Sequence, residues 1–231
     1  MSQGSYTQDS AGYQQYALTV ADFSAKVPSQ LSLDEAASLP SATIAAAFGL
    51  YGEVNEAGPG SAGLTPPWEA GGRGKYSGKP IFISGGSSSV GQLVIQFATL
   101  SGFSPIIVTA SPHNESLLKS LGATHVIDRS LQAEALRSAV SAVMIAQLEI
   151  IFDAVSVNDS QQTAYDLLAP GGTLVLTLPP TIRADRESHK RAFYIMGFIH
   201  GDIKPNPVKV IPGGLNGIVA RWKKAESVVR S

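Results

Sequence analysis

Two kinds of apolar pattern alternate along the chain from about residue 79 onwards. Short stretches that are almost wholly apolar are each followed by a longer stretch in which apolar residues recur at helical spacing. A short uninterrupted apolar stretch is typical of a strand that is covered on both faces, as in a parallel sheet flanked by helices. The alternation therefore predicts an α/β fold, a doubly wound parallel sheet with right-handed crossovers. The predicted strands are PIFIS, PIIVTA, THVID, EIIFDAV and TLVLTL.

The first part of the chain has a different pattern. A loose alternation from Tyr13 to Phe23 predicts a strand. A helical pattern follows it, with Ser32 as the N-cap and an interruption at Pro40. Residues 51–78 are rich in glycine, proline and serine and have no periodic pattern, which predicts a loop insertion or a linker.

Composition excludes several classes of protein. The net charge is -1, with 44% hydrophobic and 15% charged residues, so the surface offers no basic field for nucleic acid or for an anionic membrane. The chain has no cysteine, which excludes disulfides and thiolate zinc sites, and its four histidines lack metal-ligand spacing. No apolar run reaches the ~18 residues that a membrane span needs, and the polar amino terminus lacks a secretory signal. We therefore expect a soluble, cytoplasmic protein without a metal site.

A cluster of glycine and serine, SGGSSSVGQ, lies between the first apolar strand and the helix that follows it. A Walker A loop would need Gly-Lys-Ser/Thr, but Gly91 is followed by Gln92, and no serine here satisfies the G-x-S-x-G of a nucleophile elbow. The segment Gly86–Gly91 instead matches a G-x-S-x-x-G variant of the dinucleotide fingerprint. We expect a diphosphate to lie over the amides at the positive end of the helix dipole. The predicted binding residues are Gly86, Ser87, Ser88, Ser89, Val90 and Gly91.

The end of the second strand indicates which dinucleotide is bound. NAD-binding domains usually carry Asp or Glu about 20 residues after the fingerprint, where this chain reads TASPHNES. Ser111 and Pro112 predict a helix start whose amides suit a 2′-phosphate, and His113 and Asn114 can donate as well. Arg129, just past the third strand, is placed to lie against the adenine or its phosphate. The sequence therefore predicts NADPH, the alternative being that Ser111 and Asn114 only cap a helix.

These segments together resemble one family, the medium-chain dehydrogenase/reductase superfamily. The resemblance is carried by LPSATIAAAFGLYG, GGSSSVGQLVIQFATLSGF, TASPHNESLLKSLGATHVIDRS, AYDLLAPGGTLVL and KPNPVKVIPGGLNGIV. It is strongest to the zinc-independent fungal branch of enoyl reductases and quinone-reductase-like proteins. The resemblance implies a GroES-like β-barrel substrate domain joined to a Rossmann domain, with NADPH between them. It also implies that Thr43 lies near the nicotinamide and phosphates, and that Leu178 lines the nicotinamide pocket.

The chain departs from the family at both ends, where it resembles a truncated member with only remnants of the barrel. Members have a longer segment before the start of this chain and usually carry a further helix after the sixth strand. The expected organisation is a partial GroES-like substrate domain with a connecting helix at 1–50, a loop at 51–78, the Rossmann domain at 79–200 and a return segment to the substrate domain at 201–231.

The resemblance implies hydride transfer from NADPH to the β-carbon of a conjugated carbonyl, followed by protonation at the α-carbon. The implied substrate is an enone, a quinone or an enoyl thioester, and the implied partner is a second copy or a megasynthase. No residue stands out as catalytic, and the nearby phenols of Tyr51 and Tyr76 are expected to be structural. Two alternatives stay open: a non-catalytic NADPH-binding fragment or pseudoenzyme, and a short-chain reductase. The short-chain Tyr-x-x-x-Lys pair does not fit, because Tyr76 and Lys79 are one residue too close.

Overall fold

A computed structural model describes residues 9, 14–19, 24–54, 60–183 and 189–194. The chain divides into two compact units, Met1–Ser41 with Pro205–Ser231, and Ala42–Lys204. The domain boundaries expected at residues 50, 78 and 200 stay predictions, and the return segment at 201–231 lies outside the described residues.

The first unit contains a short capped helix. Helix α1 (Leu33–Ala37) begins after Ser32, whose hydroxyl accepts a hydrogen bond from the Glu35 amide, while the Glu35 carboxylate accepts one from the Ser32 amide. The Ser32 amide and the Ser32 hydroxyl both donate to the exposed Glu35 carboxylate, and these bonds lower the pKa of that carboxyl because they favour its charged form. The predicted N-cap is therefore confirmed.

The strand expected from Tyr13 to Phe23 is wrong in its described part. Residues 14–19 are irregular, and the large side chains of Tyr16 and Leu18 are exposed. The alternating pattern alone therefore does not produce a strand in residues 14–19. The rest of that segment lies outside the described residues.

In the second unit, the predicted doubly wound sheet is confirmed. Within the described residues the sheet has six strands, all parallel, in the order β3-β2-β1-β4-β5-β6. Their bounds are β1 Ile81–Ser84, β2 Ile106–Ala110, β3 His125–Asp128, β4 Ile150–Asp153, β5 Thr173–Leu176 and β6 Arg191–Tyr194.

Helices cover both faces of this sheet. Helix α2 (Pro40–Tyr51) begins at the expected interruption, since proline is well tolerated in the first turn. The others are α3 Ser89–Ser101, α4 Glu115–Leu121, α5 Ala133–Val143 and α6 Asn158–Leu167, with a 3-10 turn at Pro112–Asn114.

One buried row crosses four strands in register. Phe82 pairs with Ile107 on one side and with Ile151 on the other, and Ile151 pairs with Leu174. This row packs against Val140 of α5, Ala164 of α6 and Leu168, the residue that follows α6. Helix α3 packs against β1 and β2. The all-apolar strands are therefore explained by burial on both faces.

The described residues of the glycine-rich segment, 52–54 and 60–78, form a loop as predicted, and this loop packs against helices α2 and α3. Trp68 makes edge contacts with the rings of Tyr51 and Phe97, at centroid distances of 5.2 and 6.0 Å. Tyr76 stacks on Phe103 at 4.9 Å. The buried Ser61 donates a hydrogen bond to the Gly52 carbonyl. Side-chain packing therefore orders a segment whose composition alone indicates a linker.

Helix α3 reaches the end of β1 at a contact between two backbones. A Cβ atom at Gly91, in the first turn of the helix, would lie 2.2 Å from the Gly85 carbonyl oxygen and 2.9 Å from the Gly86 Cα. Backbone atoms cannot move aside as a flexible side chain can. Only glycine therefore allows the helix to start this close to the sheet.

We predict that Gly91→Ala destabilises the protein by about 3 kcal/mol or more, because the added methyl group forces the helix away from the strand. Gly71→Ala is the matched control, since Gly71 has a φ of 75° and no atom within 4 Å of the added Cβ, so only backbone strain is paid. That control should cost about 1 kcal/mol. Urea denaturation compares the two variants, and an equal loss in both would show that the contact at Gly91 is unimportant.

Candidate functional site

At the carboxyl edge of the sheet lies the topological switch point, where doubly wound sheets form a crevice between loops that leave in opposite directions. From β1 the sheet continues to β2 on one side and to β4 on the other, so the connections after β1 and β4 diverge. The two loops begin next to each other, since the Ala154 amide donates to the Ser84 carbonyl at 3.0 Å. In open α/β sheets this reversal point is where ligands bind.

The glycine turn, defined here as Gly85–Gly91, lies directly at this crevice. Gly85 has a φ of 75°, and its amide donates to the Thr109 hydroxyl at 3.0 Å. The Gly86 amide donates to the Thr109 carbonyl at 2.9 Å, and a Cβ on Gly86 would lie 2.9 Å from the Val108 Cβ. As the first glycine of the fingerprint, Gly86 would be expected to make the tight turn, and this expectation is wrong. Gly85 takes the left-handed conformation, and Gly86 is required by its close packing on β2.

The turn leads straight into helix α3, whose first amides face the crevice. Ser88 is the N-cap, and its hydroxyl accepts a hydrogen bond from the Gly91 amide at 3.0 Å. The Gln92 side-chain amide donates to the Ser87 carbonyl at 3.0 Å. The predicted residues Gly86, Ser87, Ser88, Ser89, Val90 and Gly91 therefore all lie in one turn, held by its own side chains. A helix N-terminus of this kind attracts a phosphate group.

The residues predicted to distinguish the dinucleotides meet at the end of β2. Ser111 and Pro112 follow the strand directly, and the Arg129 amide donates to the Ala110 carbonyl at 3.1 Å, which places Arg129 beside them. The Asn114 amide nitrogen lies 3.2 Å from Nε2 of His113. Neither Ser111 nor Asn114 makes a side-chain capping hydrogen bond. Helix capping therefore does not occupy these polar side chains.

An acidic side chain stands on the neighbouring strand. Asp128 ends β3, level with Ala110 of β2, and its Oδ1 accepts a hydrogen bond from the Ser130 amide at 2.9 Å. That bond, with a smaller contribution from the Arg129 charge, lowers the pKa of the exposed Asp128 carboxyl. The carboxylate is therefore ionised at neutral pH. It stands at the end of the third strand, whereas the acid of an NAD-binding domain usually stands at the end of the second.

The loop after β4 contains a buried polar network that the sequence analysis missed. Asp153 is fully buried, and its carboxylate accepts hydrogen bonds from the amides of Val155 and Ser156, each at 3.0 Å, and from the Ser160 hydroxyl at 2.7 Å. These donors satisfy side-chain oxygens that would otherwise be costly to bury. The sequence signal was an acid ending an apolar strand, with serines three and seven residues later.

Ser156 and Gln161 extend this network to the loop after β5. The Ser156 hydroxyl donates to the Asp153 carbonyl and accepts from the Thr177 amide, both at 2.7 Å. The Gln161 side-chain nitrogen donates to the Ser156 carbonyl at 2.9 Å and to the Pro179 carbonyl at 3.1 Å. Both side chains are buried. The two loops are therefore joined by side chains rather than by strand pairing.

Three apolar side chains stand exposed on these joined loops. Val155 and Val157 of the first loop are 41% and 54% exposed, and Leu178 of the second is 49% exposed. We call them the apolar lip. Val155 lies against the glycine turn, because a Cβ on Gly85 would be 2.5 Å from its Cγ2. The carboxyl edge is thus polar along β1 to β3 and apolar along β4 and β5.

Thr43 lies in the first half of α2 and is buried, and its hydroxyl has no hydrogen-bond partner among the described residues. An unpaired buried hydroxyl is unusual and is consistent with a missing polar ligand. Its distance from the nicotinamide and phosphates, which the resemblance implied to be short, stays a prediction.

The two phenols have structural surroundings. The Tyr51 hydroxyl lies 2.6 Å from that of Ser101, the last residue of α3, and donates to the Phe97 carbonyl at 3.1 Å. Burial raises the pKa of this phenol further above its ordinary range. The Tyr76 hydroxyl accepts from the Thr65 amide at 2.7 Å. The Tyr51 contacts lie at the end of α3 opposite the glycine turn, and those of Tyr76 lie within the loop before β1.

Neither a metal-binding cluster nor a membrane-spanning helix occurs in the described part of the chain. No group of three or more acidic or histidine side chains there is arranged to hold a metal ion. No helix in the same residues is long and apolar enough to cross a membrane.

Fold and site together define a dinucleotide-binding domain of the Rossmann class. Residues 89–178, from the first turn of α3 to the apolar lip, match the family model described as zinc-binding dehydrogenase. The predicted resemblance to the medium-chain dehydrogenase/reductase superfamily is confirmed by this match.

Named relatives agree with this family. The chain is 30% identical over 234 residues to trans-enoyl reductase himH of Aspergillus japonicus, which covers 90% of this chain and 63% of that protein. It is 25% identical over 262 residues to trans-enoyl reductase thnE of Trichoderma harzianum, covering 95% of this chain and 67% of the relative. The chain therefore spans about two thirds of the length of these relatives.

A solved structure supports the fold. An alcohol dehydrogenase superfamily protein from Novosphingobium aromaticivorans superposes with a TM-score of 0.62 and 19% identity, over 94% of this chain and 57% of that one. The match to a dehydrogenase family over residues 89–178 implies a nicotinamide dinucleotide as cofactor. The residues present fit such a group, because the glycine turn offers helix amides to a diphosphate and Thr43 offers an unpaired hydroxyl.

We predict that Ser88→Leu abolishes binding of a nicotinamide dinucleotide, because a diphosphate must approach this backbone closely and the larger side chain would fill its place. Ser88→Ala is the matched control. Both variants lose the cap of α3 and should lose about 1 kcal/mol of stability. Only the leucine variant should lose binding, as measured by fluorescence of the reduced nicotinamide. Retained binding in the leucine variant would indicate that the turn is only structural.

Proposed function

We propose that this chain is an NADPH-dependent oxidoreductase of the enoyl reductase or quinone oxidoreductase type. The supporting observation is the division of the carboxyl edge at the glycine turn. On one side lie serine hydroxyls, helix amides, an imidazole and a guanidinium, and on the other lies the apolar lip of Val155, Val157 and Leu178. A dinucleotide has the same division, since its phosphates are charged and its nicotinamide ring is flat and weakly polar.

The preference for NADPH over NADH follows from the end of β2. The side chains of Ser111, His113 and Asn114 offer hydrogen-bond donors there, and Arg129 adds a permanent positive charge. None of these four residues is a carboxylate that would accept a bond from a ribose 2′-hydroxyl and repel a 2′-phosphate. The ionised Asp128 weakens this preference, but its Oδ1 is turned towards the Ser130 amide and Arg129 follows it directly.

The proposed roles of the residues are binding and orientation. The glycine turn would hold the diphosphate, the segment Ser111–Asn114 with Arg129 the 2′-phosphate, and Thr43 with Leu178 the nicotinamide half. When bound, the nicotinamide supplies a hydride, and the proposed acceptor is the β-carbon of a double bond conjugated to a carbonyl. The product then gains a proton at the α-carbon. The apolar lip would keep water away from the ring, and placing two reactants together supplies much of the rate in such reactions.

The proposed substrate is a small enone, enoyl thioester or quinone. Relatives named trans-enoyl reductases support the first two. A non-catalytic NADPH-binding protein is the alternative that stays open, because the glycine turn and the β2 end would serve both. The short-chain reductase alternative is disfavoured by the family match over 89–178.

We predict that NADPH binds several-fold more tightly than NADH, with dissociation constants measured by fluorescence titration. Ser111→Asp should reverse the preference, because it repels a 2′-phosphate and accepts a bond from a 2′-hydroxyl. Ser120→Asp adds the same charge to an exposed position of α4 and should leave the ratio unchanged. Arg129→Gln should weaken the binding of NADPH more than the binding of NADH. Equal affinities for the two cofactors in the original chain would contradict the assignment of the β2 end.

We predict that deuterium placed at C4 of the reduced nicotinamide appears at the β-carbon of a product formed from a crotonyl thioester. Mass spectrometry and NMR of the product locate the label, and a quinone tested in parallel distinguishes the two substrate classes. The Ser88→Leu variant is the control, since it should bind no cofactor and transfer no label. Tight NADPH binding without label transfer to either substrate would favour the non-catalytic alternative.

A further inference from the structure

Ser156 adopts a backbone conformation that a serine rarely takes. Its φ is 52°, in the left-handed region where a side chain costs about 1 kcal/mol and glycine costs nothing. Its side chain is nevertheless 98% buried and makes two hydrogen bonds of 2.7 Å, to the Asp153 carbonyl and from the Thr177 amide. The strain is offset by a hydroxyl that glycine lacks.

The two bonds of this hydroxyl belong to different loops. Asp153 ends β4, whereas Thr177 follows β5, so the hydroxyl joins the two loops at their bases. Gln161 makes a second connection further from the sheet, because its side-chain nitrogen donates to both the Ser156 carbonyl and the Pro179 carbonyl. Its Oε1 also accepts a hydrogen bond from the Thr181 amide at 2.7 Å. Together these two side chains set the separation of the loops.

The apolar lip stands on the residues next to these connections. Val155 and Val157 flank Ser156, and Leu178 lies between Thr177 and Pro179, the two residues that are held. The left-handed turn at Ser156 buries its own side chain while both flanking valines remain exposed. Val155 also lies against Gly85, so the apolar lip borders the glycine turn, which is the part of the site assigned to the diphosphate.

We propose that Ser156 and Gln161 are positioning residues that fix the position of the apolar lip relative to the glycine turn, so that the lip receives the nicotinamide half of the cofactor. This inference rests on the proposed NADPH binding. Neither residue needs to touch the cofactor, because both are buried beneath the loops. Losing either connection frees the lip and leaves the phosphate-binding side intact.

The test compares two ligands that differ only in the nicotinamide. NADPH and 2′-phospho-ADP-ribose share the adenosine, the 2′-phosphate and the diphosphate, but the second lacks the ring. Ser156→Gly relieves the backbone strain and removes the hydroxyl. We expect this variant to have an affinity for NADPH that is about tenfold lower. Its affinity for 2′-phospho-ADP-ribose should change less than about twofold. Gln161→Met, of similar volume, should give the same split between the ligands.

Thr124→Ala is the matched control. The Thr124 hydroxyl also makes two bonds between elements, to the Ile106 carbonyl and from the Ile106 amide, both at 2.9 Å, but at the amino edge of the sheet. It should lose stability without changing the ratio of the two affinities. Hydrogen exchange adds a readout without ligand, since the Thr177 amide should exchange faster in Ser156→Gly and not in Thr124→Ala.

The outcomes separate the two ideas. Loss of NADPH affinity alone supports the inference. Equal weakening of both ligands, no weakening of either, or unchanged exchange at Thr177 overturns it while leaving the proposed function standing. If the unaltered chain binds neither ligand, the proposed function fails and the inference fails with it.

Discussion

The contact between the backbones of Gly91 and Gly85 determines the arrangement of the whole carboxyl edge. The helix can start this close to the strand only because Gly91 carries no side chain in the gap. This close approach of helix and strand brings the first amides of α3 to the place where the connections after β1 and β4 diverge. The loop after β4 is packed against the same turn through Val155, so it too depends on where the helix begins.

The two sides of the edge are built in different ways. Along β1 to β3 the residues assigned to ligand binding follow their strands directly, and backbone bonds such as that from Arg129 to Ala110 hold them. Along β4 and β5 the loops are held by buried side chains, namely Asp153, Ser156 and Gln161. Backbone pairing is available wherever strands end level with each other. Loops that rise above the sheet need side-chain hydrogen bonds instead.

Much of the fold could be predicted from the sequence because burial on both faces leaves a continuous apolar signature in each strand. The start of α1 at Ser32 and the interruption at Pro40 were predictable for a similar reason, since caps and prolines act locally. The strand expected at Tyr13 was not formed in the described residues, because alternation alone provides no partner strand. The packing of Trp68 on Tyr51 and Phe97 was missed since these contacts have no period along the chain.

The candidate site was predictable in part for the same physical reasons. The glycine turn combines a local spacing with a strand before it and a helix after it, so its place was found, although the left-handed residue proved to be Gly85. The connection from Ser156 to Thr177 joins positions that are distant in sequence and depends on the β4 and β5 register. No local pattern reveals it. That the side chains of Ser111 and Asn114 make no capping hydrogen bond likewise required coordinates.

The network around Asp153 is encoded almost entirely within eight consecutive residues, DAVSVNDS, and this makes it a searchable signature. An acid at the end of an apolar strand, with serines three and seven positions later, specifies the loop without reference to the glycine turn. Chains that share the turn can therefore be sorted by whether they also carry this spacing. A chain with glycine in place of the first serine would keep the backbone path and lack the link to the next strand. Comparing chains in this way would show whether the glycine turn and the Asp153 loop are inherited together or independently.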